Sequence, residues 1–405
     1  MRQATTILLL VITAAVLRAA GQNASAPPGG ASATAVKAAG WDRAAAAAYL
    51  DDRMDMWFAN ATKLRTGEAK TSCVSCHSSV GYALARPALR RALHAAAPTA
   101  QETRLADETT RRVESYSTHE LLYEINDVKK VESRGTEAVL NLVVLASADA
   151  GAGRREPGSA TQKALTRLWE TQRADGAWDW LNFKLEPYET VDAVYHGATL
   201  AALGVGMVPG AATSAGAGKL RAYLRDHYAA QSLYNRTFAL LGSAALTGVL
   251  TPAQRDALVA EFAQRQQGDG GWSLDAMGPW RWSADEPPFK PSGTLDAALL
   301  AQSDGFGTGL VVYALLRNGF AADHPVVSPG LRWLKTHQQE FRMAITPQVA
   351  DRTWTAWRAY SLNYDREHGG EKGEPWRRLF MSDTATAFAI LALADSEQPS
   401  ASGTK

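Results

Sequence analysis

From Trp41 onward the apolar positions recur at helical spacing, and the alternating β-branched stretches that announce a sheet are nearly absent. Ala-rich runs at Arg43–Leu50 and Ala88–Ala97 add strong helix propensity. The second half repeats a two-helix pattern. An apolar helix is predicted over Thr136–Ala146, followed by a more polar, amphipathic one over Thr161–Thr171. The pair recurs at Thr237–Leu250 and Pro252–Arg265. Two further apolar helices, Val191–Val205 and Thr308–Phe320, have weaker partners at Gly218–Ala230 and Pro329–Gln338, and Asp383–Ala394 reads as a final apolar helix. The repeat, roughly 50 to 70 residues, lies inside or just beyond the range of helix-pair arrays. One such pair cannot bury its apolar helix alone, so several must stack around a shared centre.

Two of the amphipathic helices close in the same way, as Gln172-Arg-Ala-Asp-Gly176-Ala-Trp178 and Gln266-Gln-Gly-Asp-Gly270-Gly-Trp272. Gly supplies a left-handed helix end, Gln can bond the freed backbone groups, and Trp can pack back over the turn. A third copy, Trp333-Leu-Lys-Thr-His-Gln338, lacks the Gly and the Trp. The pattern resembles the repeat of squalene–hopene cyclases and the related protein prenyltransferases, over residues 131–395. The resemblance implies an all-α fold, an α/α toroid with an inner and an outer ring of helices and a central cavity open at one end. The expected organisation is a signal peptide at 1–21, a flexible linker at 22–40, a helical segment at 41–130, toroid repeats at 131–395 and a disordered tail at 396–405.

Composition narrows the functional classes. The chain has 405 residues, 46% of them hydrophobic, which is ample for a folded core. With 42 Lys+Arg against 41 Asp+Glu and no basic block, it has no electrostatic footprint for nucleic acid. At the N-terminus, Arg2, the apolar stretch Ala4–Leu17 and Ala19-Ala20-Gly21 before Gln22 have the form of an export signal. That stretch is shorter than the about 20 residues of a bilayer span, so no transmembrane span is expected after cleavage. The expected location is the periplasm or the extracellular space. Asn23–Ala39, rich in Ala, Ser, Pro and Gly, then forms the lead-in.

The chain contains two cysteines, three apart and followed by histidine: Cys73-Val-Ser-Cys76-His77. Covalent haem attachment needs two thiols on one short turn, with an imidazole next to them to bind the iron. Cys73 and Cys76 would carry one haem c, and His77 would be its axial ligand. Export agrees, because c-type haem is attached after translocation. A local disulfide, a Cys-Cys-His zinc site with one distant ligand, and a thiol redox pair are the other chemistries open to this pattern. A second axial ligand would come from Met54, Met56, His94 or His119, or be absent; no methionine lies between Met56 and Met207.

Other motifs say less. Cyclisation of the squalene–hopene type needs an Asp-x-Asp-Asp acid, and the chain has none. Prenyltransferase zinc needs an Asp, a Cys and a His, and both cysteines here sit on one turn. Asp51-Asp52-x-x-Asp55 has diphosphate-magnesium spacing but reads better as a solvated helix face. Acidic residues recur near apolar-helix starts, at Glu137, Glu189, Asp192, Asp304 and Asp383, where capping accounts for most of them. Glu137, Asp192 and His196 are the catalytic candidates, the last pair one helical turn apart. The tryptophans at 178, 180, 272, 280, 282, 354 and 357 would either pack the repeats or wall a cavity for a hydrophobic, isoprenoid-like molecule. The functional expectation is electron transfer with a redox partner protein, or haem-dependent oxidation of a hydrophobic ligand. The alternatives are a binding or assembly protein with a structural haem, and a degenerate terpene cyclase.

Overall fold

A computed structural model describes residues 40–281, 285–288, 296–343, 352–364 and 375–398. The expected signal peptide, nearly all of the linker, Trp282 and most of the expected tail lie outside them. The described chain is mostly helical. Its helices are α1 (Arg43–Asn60), α2 (Ser79–Ala92), α3 (Ala100–Glu114), α4 (Asp127–Gly151), α5 (Ser159–Glu170), α6 (Ala193–Met207), α7 (Ala215–His227), α8 (Leu233–Ala245), α9 (Pro252–Arg265), α10 (Ala297–Leu300), α11 (Gly305–Arg317), α12 (Val327–Thr336) and α13 (Phe380–Ser396). Side-chain caps start many of them: Asp42 on α1, Asn126 on α4, Asp304 on α11, and capping boxes Thr99/Glu102 on α3 and Thr251/Gln254 on α9.

The apolar helices touch one another in a closed cycle: α2 packs on α4, α4 on α6, α6 on α8, α8 on α11, α11 on α13, and α13 back on α2. The more polar helices lie against them, α5 on α4, α7 on α6, α9 on α8, α12 on α11, and α1 on α2 and α13. The segment that carries Cys73, Cys76 and His77 therefore shares the core of the repeats, with α2 between α4 and α13. The stretches Ala297–Arg317 and Trp376–Ser396 are long and apolar enough to cross a bilayer, but 67% and 83% of their most apolar windows are buried. They hold α11 and α13, and their hydrophobicity is that of core helices.

The repeated closing motif has one geometry in both copies. Gly176 and Gly270 adopt φ of 99° and 93°. The Trp178 and Trp272 indoles donate to the carbonyls of Leu168 and Phe262, ten residues back, at 2.8 and 3.0 Å. Gln172 donates to Gly176 O and to Gly216 O, at the start of α7; Gln266 donates to Gly270 O and to Val326 O, just before α12. Each glutamine thus ties the end of one polar helix to the start of the next. The third copy lacks the Gly, as expected, but keeps the Gln and Trp contacts, its tryptophan coming from farther along the chain than the pattern predicts. Gln338 donates to Asp42 O, the cap of α1, at 2.8 Å, and Trp357 donates to Leu334 O of α12 at 2.8 Å. A hairpin, β3 (Gln339–Met343) with β4 (Arg352–Ala356), stands between Gln338 and Trp357 and hides the motif in the sequence. Through Gln338 the last repeat is joined to the first helix.

Gly270→Ala is expected to destabilise the protein by about 1–3 kcal/mol, because the position needs positive φ and an added Cβ would lie 2.8 Å from Pro329 O. Urea unfolding measures this, and an unchanged midpoint would show that the turn relaxes freely.

Two cavities lie at opposite ends of the cycle. One is lined by Cys73, Cys76 and His77 together with Thr136 and Leu140 of α4 and Phe380 and Met381 of α13. The other, of about 500 Å³, is lined by later residues of α4 and α13, including Gly151 and Leu391, by Arg91 near the end of α2, and by Met207 and Arg317 at the ends of α6 and α11. Buried rings of Tyr188, His196, Tyr234, Phe238, Phe306 and Phe388, with centroids 4.5–6.3 Å apart, fill the interior beside the first cavity. Phe388 in turn lies 6.3 Å from Tyr313, at the second. Among the described residues a cavity thus lies at each end of the cycle, with these rings between them.

Candidate functional site

The loop holding Cys73, Cys76 and His77 follows a hairpin that the helical reading of this region did not anticipate, β1 (Lys63–Thr66) paired with β2 (Ala69–Ser72). Gly67, at φ of 60°, begins its two-residue turn, where a positive φ suits glycine. Three helices then pin the loop. Glu108 of α3 accepts from Ser72 N at 2.6 Å, the Trp57 indole of α1 donates to Cys73 O at 2.8 Å, and the Thr384 hydroxyl of α13 donates to His77 O at 2.9 Å. Ser75 Oγ accepts from the amides of Ser78 and Ser79 at 3.2 and 3.0 Å and so starts α2.

Cys73 is buried and Cys76 half-buried, and both are free thiols. Burial pushes Cys73 up to about 12 and Cys76 higher still, so neither is a thiolate at neutral pH. A thiol redox pair would need the opposite shift. Among the described residues no three His, Cys, Asp or Glu side chains converge as a metal-binding group. His77 stacks on Phe380, with ring centroids 3.8 Å apart and planes 19° apart, and meets the edge of Trp57 at 5.4 Å. Its Nδ1 lies 3.0 Å from Ser78 Oγ.

The two thiols and the imidazole line a cavity of about 280 Å³ with Trp57, Leu122 and Tyr123 on its walls. Glu186 and Glu189 line it as well. Burial raises Glu186 to about 8, against the amide of Arg281 and the hydroxyl of Thr190 that favour its charged form. Burial raises Glu189 to about 7, with Lys129 opposing. Both carboxyls therefore titrate near neutrality, far above ordinary glutamate.

No family model matches this chain, and no curated protein matches it.

The three catalytic candidates stand outside this cavity. Glu137 takes a bidentate ion pair from Arg112, at 2.6 and 2.8 Å, and a contact from His119 Nε2 at 3.1 Å. Burial alone would raise its carboxyl, but His119 and Arg112 outweigh it and hold it at about 2. Asp192 turns to Arg281 Nε at 3.2 Å. The spacing of Asp192 and His196 allows a hydrogen-bonded pair, but none forms between them. His196 is 1% exposed, its Nδ1 has no partner among the described residues, and burial among aromatic rings lowers it to about 3. It is a neutral core residue, while Asp192, one turn earlier, stays at the rim.

The second-ligand candidates also lie elsewhere. Met54 is core, Met56 Sδ accepts from Arg53 at 3.1 Å, His94 is exposed just beyond the far end of α2, and both His119 nitrogens have partners. Among the described residues Met381 is the only methionine on the cavity wall. It lies 305 residues beyond Cys76 and reaches the site because α13 closes on α2. No local signal could reveal it. The carboxylates of Asp51, Asp52 and Asp55 diverge to Arg86, Arg352 and Gln101, so they do not form one cation site. Trp178, Trp272 and Trp357 pack the repeats, and Trp57 and Trp376 wall the cavity instead.

Proposed function

We propose that this chain is an exported monohaem c-type protein built as an α/α toroid, acting in electron transfer or in haem-dependent oxidation of a hydrophobic ligand. The observation that carries it is the convergence of Cys73, Cys76 and His77 on one cavity with aromatic walls. The cyclic contacts of the apolar helices and the Gln338–Asp42 closure support the toroid.

The residues fit a covalently held haem. Two neutral thiols on one turn suit addition to the two vinyl groups, and His77 follows them directly. Cys73 and Cys76 would hold the group, His77 would ligate the iron, and Met381 offers a second soft donor. Bound haem would supply one-electron redox chemistry at iron. The chain's own part is to fix the site: Phe380 and Trp57 orient the imidazole, and Leu122, Leu140 and Trp376 give the cavity apolar wall. Glu186 and Glu189 set two buried carboxyls on the wall of the same cavity.

Expression with the c-type haem maturation machinery tests the reading. The peptide holding Cys73 and Cys76 is expected to gain the mass of one haem, and Cys73→Ala/Cys76→Ala to lose covalent haem completely. A wild-type peptide of unmodified mass overturns it. Spectral titration then checks that the bound haem is reduced and reoxidised, as the redox reading requires.

A further inference from the structure

His77 is the visible end of a buried chain of hydrogen bonds. Its Nδ1 meets Ser78 Oγ at 3.0 Å, and Ser78 Oγ donates to Asp383 Oδ2 at 2.6 Å. Asp383 Oδ1 accepts from Tyr49 OH at 2.8 Å and from Arg53 Nε at 2.6 Å, and Arg53 Nη2 reaches Oδ2 at 3.0 Å. Tyr49, Arg53, Ser78 and Asp383 are all at most 4% exposed. Four donors therefore fill the acceptor sites of one buried carboxylate.

This arrangement decides the state of the histidine. A serine hydroxyl has one proton, and here it points to Asp383. Ser78 Oγ can then only accept from the imidazole, so Nδ1 carries the hydrogen and Nε2 the lone pair. That tautomer is the one in which Nε2 can ligate a metal. The hydroxyl, polarised by a carboxylate, also draws on the Nδ1 proton and makes the imidazole a stronger donor.

We propose that Ser78 and Asp383 form a positioning relay that sets the tautomer and donor strength of His77 and thereby lowers the reduction potential of the iron. The proposal rests on the haem reading above. Asp383 acts through Ser78 and touches neither iron nor substrate. A tether between α13 and α2 is the purely structural role, and it would leave the potential unchanged.

Potentiometric titration of the holoprotein separates the two. Ser78→Ala removes only the bridging oxygen. It is expected to raise the ferrous-to-ferric ratio at a fixed potential about tenfold, which for one electron is about 59 mV. Ser78→Thr keeps the hydroxyl and is expected to restore the wild-type ratio, while Asp383→Asn is expected to shift it in the same direction as Ser78→Ala. A haem-loaded Ser78→Ala protein with wild-type potential overturns the relay. Should Ser78→Ala fail to fold, exchange of the His77 Nδ1 proton in the reduced wild-type protein decides. Slow exchange supports the buried bond, and exchange at the open-solvent rate overturns it. Failure of the haem reading shows differently, as a wild-type peptide without added haem mass.

Discussion

Asp383→Ala is expected to lower the stability of the folded protein by about 3–5 kcal/mol, the cost of leaving a buried charge without its partner. Arg53 is 2% exposed and its fork grips both oxygens of Asp383, at 2.6 and 3.0 Å. Its remaining bonds, to Trp376 O and Met56 Sδ, carry no negative charge. Removal of the carboxylate strands the guanidinium and also frees Tyr49 OH and Ser78 Oγ, and it unties the first turn of α13 from α1 and α2. Equilibrium urea unfolding measures the loss. The double replacement Arg53→Met/Asp383→Leu is expected to recover most of it, since an apolar pair needs no desolvated charge. A loss below about 1 kcal/mol for Asp383→Ala would mean that Arg53 reaches solvent or a new partner.

The second large effect is on pH dependence. Glu186 is 5% exposed and rises from its usual 4.5 to about 8 in the folded state. Above pH 4.5 the unfolded chain has released this proton while the folded protein still holds it. The unfolded state then binds fewer protons, so stability falls as pH rises and levels off only above the folded value. Full stability belongs below about pH 4.5, and the loss spans the window from there to about 8. Glu189, raised to about 7, adds to it with the same sign. A shift of this size corresponds to several kcal/mol. Thermal unfolding at pH 5, 7 and 9 is expected to show a falling midpoint for the wild-type protein. Glu186→Gln, which keeps an acceptor oxygen for Arg281 N and turns an amide N–H toward Thr190 Oγ1, is expected to flatten the decline and to be the more stable protein at pH 9. Parallel pH profiles for the two proteins would show that the Glu186 carboxyl already reaches water.

Particular residues show how far local pattern reaches. Pro252–Arg265 is a helix within the same bounds in sequence and structure, because Thr251, Pro252 and Gln254 form a complete local start signal. The Gln–Gly–Trp ending was legible wherever its parts were contiguous, and hidden at Gln338 and Trp357, where a hairpin parts them. Asp383 read correctly as a residue at an apolar-helix start, but its side chain caps nothing there and instead holds Arg53, Tyr49 and Ser78. The Asp192–His196 pair had suitable spacing. Spacing on one helix places two side chains on one face without deciding which neighbours turn them apart.

The sequence by itself determined most of the helices, the apolar set that must be buried, and the Cys73–Cys76–His77 group, since each depends on residues within a few turns of one another. Of the acidic residues expected to cap, Asp304 does so, while Glu137 lies inside α4 and Asp192 and Asp383 make no cap bond. Only the tertiary structure decided that α2 closes the cycle between α4 and α13, that Glu186, Glu189 and Met381 share a cavity with the thiols, and that Ser78 and Asp383 stand behind His77. Those contacts join positions from about fifty to about three hundred residues apart. They arise when every apolar helix finds its two neighbours, a condition set by burial around the whole cycle and written in no single segment.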